Sequence, residues 1–176
     1  MPFTTFQSPI GSLTLLGDGR RLRRLYFPRR APGLDEQDHA PRSFVAVIEQ
    51  LEQYFAGERE AFTVELELAG TPFQRAVWRE LQRIPYGSTT TYGALARRIG
   101  AGSSAGAGDA RAVGAAVGAT PTPIVIPCHR VIGADGSLTG YGGGLHRKRA
   151  LLDFEAAGGD RGALDAAWRQ RQLALL

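Results

Sequence analysis

A break in hydrophobic periodicity near Ala69-Gly70 divides the chain into two units that must bury their apolar residues in different ways. Ahead of it, the runs Phe3–Phe6, Ser12–Leu16 and Leu22–Phe27 read as strands, with turn signals at Pro9–Gly11 and Gly17-Asp18-Gly19, so a hairpin or meander is predicted. From Arg42 the residues Phe44, Val47, Ile48, Leu51, Tyr54 and Phe55 recur at helical spacing up to Gly57, the expected C-cap. Phe62, Val64, Leu66 and Leu68 alternate with polar residues as a further half-buried strand, whereas the proline-punctuated Arg29–Pro41 reads as a loop. Residues 1–69 therefore form a small α/β unit with a helix over one face of a sheet.

Beyond the break the signals are helical. Thr71-Pro72-Phe73-Gln74 has an N-cap threonine, proline at the first helical position and a glutamine closing a capping box. Phe73, Val77, Leu81 and Ile84 form the apolar stripe, and Pro85 ends it. A shorter helix is expected over Tyr92–Ile99 with Gly100 as its stop, then a flexible Gly100–Gly108 loop made almost wholly of Gly, Ala and Ser. Asp109 N-caps a helix over ARAVGAAVG, where Ala110, Gly114 and Ala115 leave a smooth surface that another backbone can approach closely. Two short helices so joined predict a helix-turn-helix, although the connection exceeds the roughly 3–4 residues typical of that motif. A turn at Gly133–Gly136, a loop at Gly140–Gly144 and a helix through Leu151, Leu152, Phe154 and Glu155 complete a second unit, residues 71–160. Ala163 to Leu175 predicts a last helix in a tail, residues 161–176, packed back on the body.

Composition narrows the class. The 23 glycines and 10 prolines in 176 residues stay below the roughly 25–30% of low-complexity chains. The longest uncharged stretch, Ala112–Cys128, is interrupted by Pro121, Pro123 and Pro127 and falls short of the ~20 apolar residues of a membrane span. No basic segment precedes an apolar run at the N-terminus, so a cytoplasmic protein is expected. Residues 1–70 carry eight basic and ten acidic side chains, and residues 71–160 ten basic and six acidic, which places the positive surplus where a polyanion would be met. The single cysteine, Cys128, excludes an intramolecular disulfide and a thiolate-rich zinc site.

Cys128 is followed by His129 and Arg130, and Pro127 forbids a regular helix through them. A lone cysteine is most often an inert buried residue, but a neighbouring imidazole and guanidinium favour the nucleophilic thiolate. Neighbours on a strand point to opposite faces, so contact between Cys128 and His129 requires a turn or a bridging water. Glu155 lies on the apolar face of its helix, and a buried carboxylate there needs a donor, for which His129 is a candidate.

Five ordered blocks, IPYGSTTTYGALA from Ile84, ARAVGAA from Ala110, PIVIPCHRVIG from Pro123, GYGGG from Gly140 and RKRALLDFE from Arg147, resemble the O6-alkylguanine-DNA alkyltransferases, or methylated-DNA–protein-cysteine methyltransferases. The likeness is close over residues 71 to about 158 and looser over the N-terminal unit. It implies a ribonuclease-H-like α/β domain followed by a mainly α, winged-helix-like domain with a helix-turn-helix. It further implies Cys128 as alkyl acceptor, linked through a water to His129 and then Glu155, with Tyr92 near guanine N3. Val131, Tyr141, Gly142 and Pro123 would line the base pocket, with the Gly142 N–H approaching guanine O6. Arg111 would enter the duplex from a helix whose Ala110 and Gly114 lie in the minor groove of double-stranded DNA. The family usually has asparagine where Thr120 stands, tying the recognition helix to the active-site turn; a threonine tie must be weaker or rebuilt. The implied activity is single-turnover DNA repair without metal or cofactor. The alternatives are a binding protein for alkylated DNA, which would lack the acceptor cysteine, and a cysteine hydrolase using a distant His39 or His146.

Overall fold

The computed structural model describes residues 1–102 and 109–173. The N-terminal sheet is built from β1 (Phe3–Ser8), β2 (Gly11–Gly17), β3 (Arg21–Tyr26) and the two-residue β4 (Glu65–Leu66), in that spatial order. The first three are antiparallel, as expected of a meander, and β4 runs parallel to β3 with Leu22 opposite Leu66. The strand expected over Phe62–Leu68 is thus shortened to two residues. Its alternation reports a buried face, since Phe62 and Val64 pack on the core, but burial does not require ladder pairing. The helix expected from Arg42 begins as a 3-10 turn, Pro41–Phe44, before α1 (Val45–Phe55).

In the second unit α2 (Pro72–Leu81) starts with the expected capping box: Thr71 accepts from the Gln74 N–H, and the Gln74 side chain accepts from the Thr71 N–H. A two-residue strand β5 (Thr90–Thr91) pairs in parallel with β6 (Val131–Ile132) and leads into α3 (Tyr92–Gly102). That helix runs through Gly100, which is therefore not its stop; a mid-helix glycine costs only about 1 kcal/mol and does not end a helix by itself. The remainder of the expected loop, 103–108, lies outside the described residues. Helix α4 (Ala110–Gly118) is N-capped by Asp109, whose carboxylate accepts from the Ala112 N–H at 2.7 Å. Trp78 of α2 donates its indole N–H to the Ala116 carbonyl, locking α4 to α2 at 2.9 Å. Helices α5 (Leu145–Ala156) and α6 (Arg161–Leu173) follow, and no helix among the described residues is long and apolar enough to cross a membrane.

Two cores result, and they do not divide at residue 70. One joins the sheet and α1 to Ile124, Val125 and residues Ala150, Leu151 and Phe154 of α5, with Leu164 of α6. The other joins α2, α3 and α4 to Ile126, Cys128 and Val131. The segment Ile124–Cys128 therefore passes from one core into the other.

The join is made by two helix ends. Helix α1 closes with Gly57 N–H on Tyr54 O and Glu58 N–H on Gln53 O, and α5 closes in the same way with Gly158 N–H on Glu155 O and Gly159 N–H on Phe154 O. Gly57 and Gly159 are at φ +77° and +84°, and a Cβ on Gly57 would stand 2.4 Å from the Gly159 carbonyl oxygen. Only glycine permits this approach. Gly57→Ala is expected to destabilise the protein by more than about 1 kcal/mol, since it combines an unfavourable φ with a backbone clash; denaturant unfolding checks the value.

Candidate active site

The segment Pro121–Arg130 is buried throughout. It turns sharply, with Ile126 N–H on Thr122 O at 2.9 Å, and Ile124 is held at φ +76°, a strained value for a β-branched residue. Cys128, His129 and Arg130 then form a 3-10 turn preceded by Pro127, with Arg130 N–H on Pro127 O. The turn that contact between neighbouring side chains requires is thus present.

His129 is wholly buried, and its Nε2 lies 2.7 Å from Glu155 Oε1. The same carboxylate accepts from the guanidinium of Arg130 through Nε at 2.8 Å and Nη2 at 3.0 Å, from the Tyr54 hydroxyl at 2.7 Å and from the Gly87 N–H at 3.4 Å. Burial alone would raise the Glu155 carboxyl, but His129 and Arg130 outweigh it and hold the group well below the usual carboxylate range. An ionised carboxylate only accepts, so the proton is assigned to Nε2 of His129. Whenever the ring is neutral, Nδ1 is then an acceptor, and this buried atom has no hydrogen-bond partner among the described residues. Arg130 faces Glu155 and donates to Ile84 O at 2.7 Å; it does not act on the thiol directly.

Burial pushes the Cys128 thiol up to about 11, while the Thr120 side chain and the charge of Lys148 work the other way. This corrects the expectation that its neighbours hold it as a thiolate: desolvation of sulfur outweighs them, and the resting group is a thiol. Thr120 donates its hydroxyl to Val117 O at 2.7 Å, in the last turn of α4, so this bond stays within the helix end and does not reach across to the site turn. Its side chain borders Cys128 instead, and this contact links the end of α4 to that thiol.

Tyr92 opens α3 half-buried and donates to Thr139 O at 3.2 Å. Lys148 of α5, fully buried, donates to the same carbonyl at 2.9 Å and holds its ammonium 5.9 Å from the centre of the Tyr92 ring. Burial lowers its pKa and the Cys128 charge opposes that shift. Val131 and Pro123 are buried; Tyr141 buries its hydroxyl without a hydrogen-bond partner among the described residues and lies close enough to Cys128 to feel its charge, and Gly142 is exposed with open space where a side chain would stand. Ala110 and Arg111 are exposed at the start of α4, and Gly114 faces Tyr92, where an added Cβ would make ordinary contact at 3.7 Å.

Three contributors were hidden in the sequence. Tyr54 looks like one more apolar position of α1, and its periodicity says nothing of the hydroxyl's destination. Lys148 sits in a basic run, Arg147-Lys148-Arg149, that reads as a solvated face. Gly87 reads as a turn residue, and only the fold shows its N–H aimed at Glu155.

The family model of the 6-O-methylguanine DNA methyltransferase ribonuclease-like domain matches residues 1–68, and that of the DNA-binding domain of the same family matches residues 72–157. Methylated-DNA–protein-cysteine methyltransferases of Mycolicibacterium paratuberculosis and Mycobacterium bovis are 52% and 50% identical over 159 residues, covering 87% of this chain and 91% of each relative. The Methanosarcina acetivorans protein of the same name is 42% identical over 160 residues, 89% of this chain and 99% of that one. The crystal structure of Mycobacterium tuberculosis OGT in complex with DNA resembles the fold with a TM-score of 0.83 at 47% identity, covering 93% of this chain and 99% of that one. An N-terminal ribonuclease-like domain and a C-terminal DNA-binding domain, matched in order around a buried Cys-His-Glu constellation, place this chain in the 6-O-methylguanine DNA methyltransferase family.

Proposed function

We propose that the protein repairs O6-alkylguanine in double-stranded DNA by moving the alkyl group irreversibly onto Cys128, once per molecule. The observation that carries this reading is the pinned imidazole of His129: Nε2 is committed to an anionic Glu155, and Nδ1 is presented without a protein partner one residue from the nucleophile. A water between Nδ1 and Cys128 would take the thiol proton as the sulfur attacks the alkyl carbon. The S–C bond forms, the C–O6 bond breaks, and its electron pair leaves with guanine, which receives a proton at N3 from Tyr92. Lys148 beside the Tyr92 ring favours the negative charge that develops on this side of the site. The water-linked imidazole of His129 and the hydroxyl of Tyr92 account for both proton transfers, so this reading calls on no metal or cofactor, and the thioether formed is stable.

The buried thiol cannot reach a base inside a duplex, so the nucleotide must be flipped out at a cost of a few kcal/mol. Arg111 would fill the vacated stack, and the small residues Ala110 and Gly114 would let α4 approach the minor groove. Val131, Tyr141, Gly142 and Pro123 form the base pocket. On this reading residues 1–69 support the site, residues 71–160 bind DNA and carry the acceptor, and the tail, residues 161–176, contributes α6, whose Leu164 packs into the first core. A DNA substrate agrees with the cytoplasmic location expected from the sequence.

Intact mass after incubation with an O6-methylguanine oligonucleotide should show one added methyl group per chain, and Cys128→Ala should abolish it while DNA affinity stays within a few-fold. Release of a hydrolysed product would indicate a cysteine hydrolase, and binding without a mass change a recognition protein. Because burial raises the thiol pKa, the thiolate fraction grows with alkalinity, and single-turnover transfer should accelerate as pH rises above neutrality towards about 11. Glu155→Gln removes the anion that orients His129, so the rate at neutral pH should fall and the rise should move to higher pH, with unfolding measured alongside. Arg111→Ala should slow repair of duplex DNA at least about tenfold more than reaction with free O6-benzylguanine, because only the duplex leaves a gap to fill; equal losses would remove it from that role.

A further inference from the structure

The guanidinium of Arg147 is the meeting point of four separate stretches of chain. Its Nε donates to the Ile10 carbonyl, in the turn between β1 and β2, at 2.8 Å, and its Nη1 donates to the Gly143 carbonyl at 2.9 Å. The same Nη1 lies 3.1 Å from Nε2 of His146. Phe27, just past β3, and Trp168 of α6 contribute ring faces at 5.6 and 5.2 Å from its Cζ. Burial acts against the charge, and the described contacts offset it with two carbonyls and two aromatic rings rather than a carboxylate. An apolar side chain could fill this space, but it would leave the Gly143 and Ile10 carbonyls without these donors.

The carbonyl held in this way belongs to the loop Gly140–Gly144, in which four of five residues are glycine. Such a loop has little conformational preference of its own and must be ordered from outside. Gly144 N–H closes it on Tyr141 O at 2.8 Å. Phe27 supports it twice: its ring centre is 5.5 Å from that of Tyr141, and a Cβ on Gly143 would stand 2.7 Å from its edge. Trp168 lies against Arg147, holds its ring tilted to that of His146 with centres 5.4 Å apart, and lies beyond residue 157, where the family match ends.

We propose that Arg147, clamped between Phe27 and Trp168, is a positioning residue that holds the Tyr141–Gly143 turn in the shape that admits the guanine base, so that helix α6 sets base affinity from outside the pocket. The proposal rests on the reading of Tyr141 and Gly142 as pocket residues. Arg147 touches neither the thiol nor the relay to Glu155, so its loss should weaken base binding and leave the chemical step alone.

The test compares the wild-type chain with Arg147→Met, Arg147→Lys and Trp168→Leu. Benzyl transfer from free O6-benzylguanine is followed by intact mass over a range of base concentrations, and alkylation of Cys128 by iodoacetamide, which needs no guanine pocket, is followed in parallel. Arg147→Met should raise the half-saturating base concentration by about tenfold, with the limiting rate and the iodoacetamide rate within about twofold of wild type. Trp168→Leu should give a smaller rise in the same direction, and Arg147→Lys, which keeps the charge but not the fork, should fall between them. A lowered melting temperature with an unchanged half-saturating concentration would overturn the proposal, as would a change in the iodoacetamide rate well beyond twofold in either direction, which marks a generally altered site around the buried thiol. Should Arg147→Met fail to fold, the lysine and Trp168 variants decide by the same criteria. The wild-type arm judges the underlying reading separately: no benzyl adduct there overturns it, and the proposal with it.

Discussion

A carboxylate buried without compensation would cost several kcal/mol, and the architecture can be understood as the means of compensating one, Glu155. Its donors come from three other places: Tyr54 on α1, the turn His129-Arg130, and the Gly87 N–H after α2. No single element could satisfy it. The sheet unit, the site turn and α5 therefore depend on one another through one side chain, and removal of that side chain would also leave the Arg130 guanidinium buried beneath Tyr86, 5.5 Å from the ring centre, without its anion.

The geometry that permits this convergence is a backbone feature. Tyr54 and Glu155 occupy equivalent positions in the last turns of α1 and α5, and both helices end on left-handed glycines that touch each other. Because neither Gly57 nor Gly159 carries a Cβ, the two helix ends approach closely enough for a phenol to reach a carboxylate across the boundary between units. Cys128 lies at the same boundary, since the strained segment at Ile124 feeds one core and the cysteine the other.

Burial of Cys128 has opposed effects. It raises the thiol pKa and so lowers the resting thiolate fraction, yet it also shields the sulfur from adventitious oxidants and alkylating agents, whose attack follows thiolate character and exposure. Reactivity is then confined to circumstances in which a proton acceptor and a seated base act together. On the proposed reading, the imidazole held by Glu155 would supply the first, and the glycine-rich turn beside Tyr141 would seat the second.

Local signals were readable wherever the physics is local. The capping box at Thr71, the Asp109 cap, the meander, the stop at Gly57 and the turn demanded by Pro127-Cys128-His129 depend on residues within a few positions of one another, and Glu155 declared itself by its place on an apolar helix face. Where the outcome depended on distant segments, periodicity was silent or misleading. Two residues of the Phe62–Leu68 run found a ladder partner, α3 continued past Gly100, Arg130 turned to Glu155 rather than the thiol, and desolvation raised a pKa that neighbouring charges were expected to lower. Spacing and turn chemistry are encoded along the chain, so they sufficed to mark the two kinds of unit and to single out Cys128 with His129 as candidates. The raised pKa of Cys128, the partners of Glu155 and the contacts of Tyr54, Lys148 and Arg147 emerge only in the folded chain, because burial and electrostatics depend on which distant groups share a low-dielectric interior.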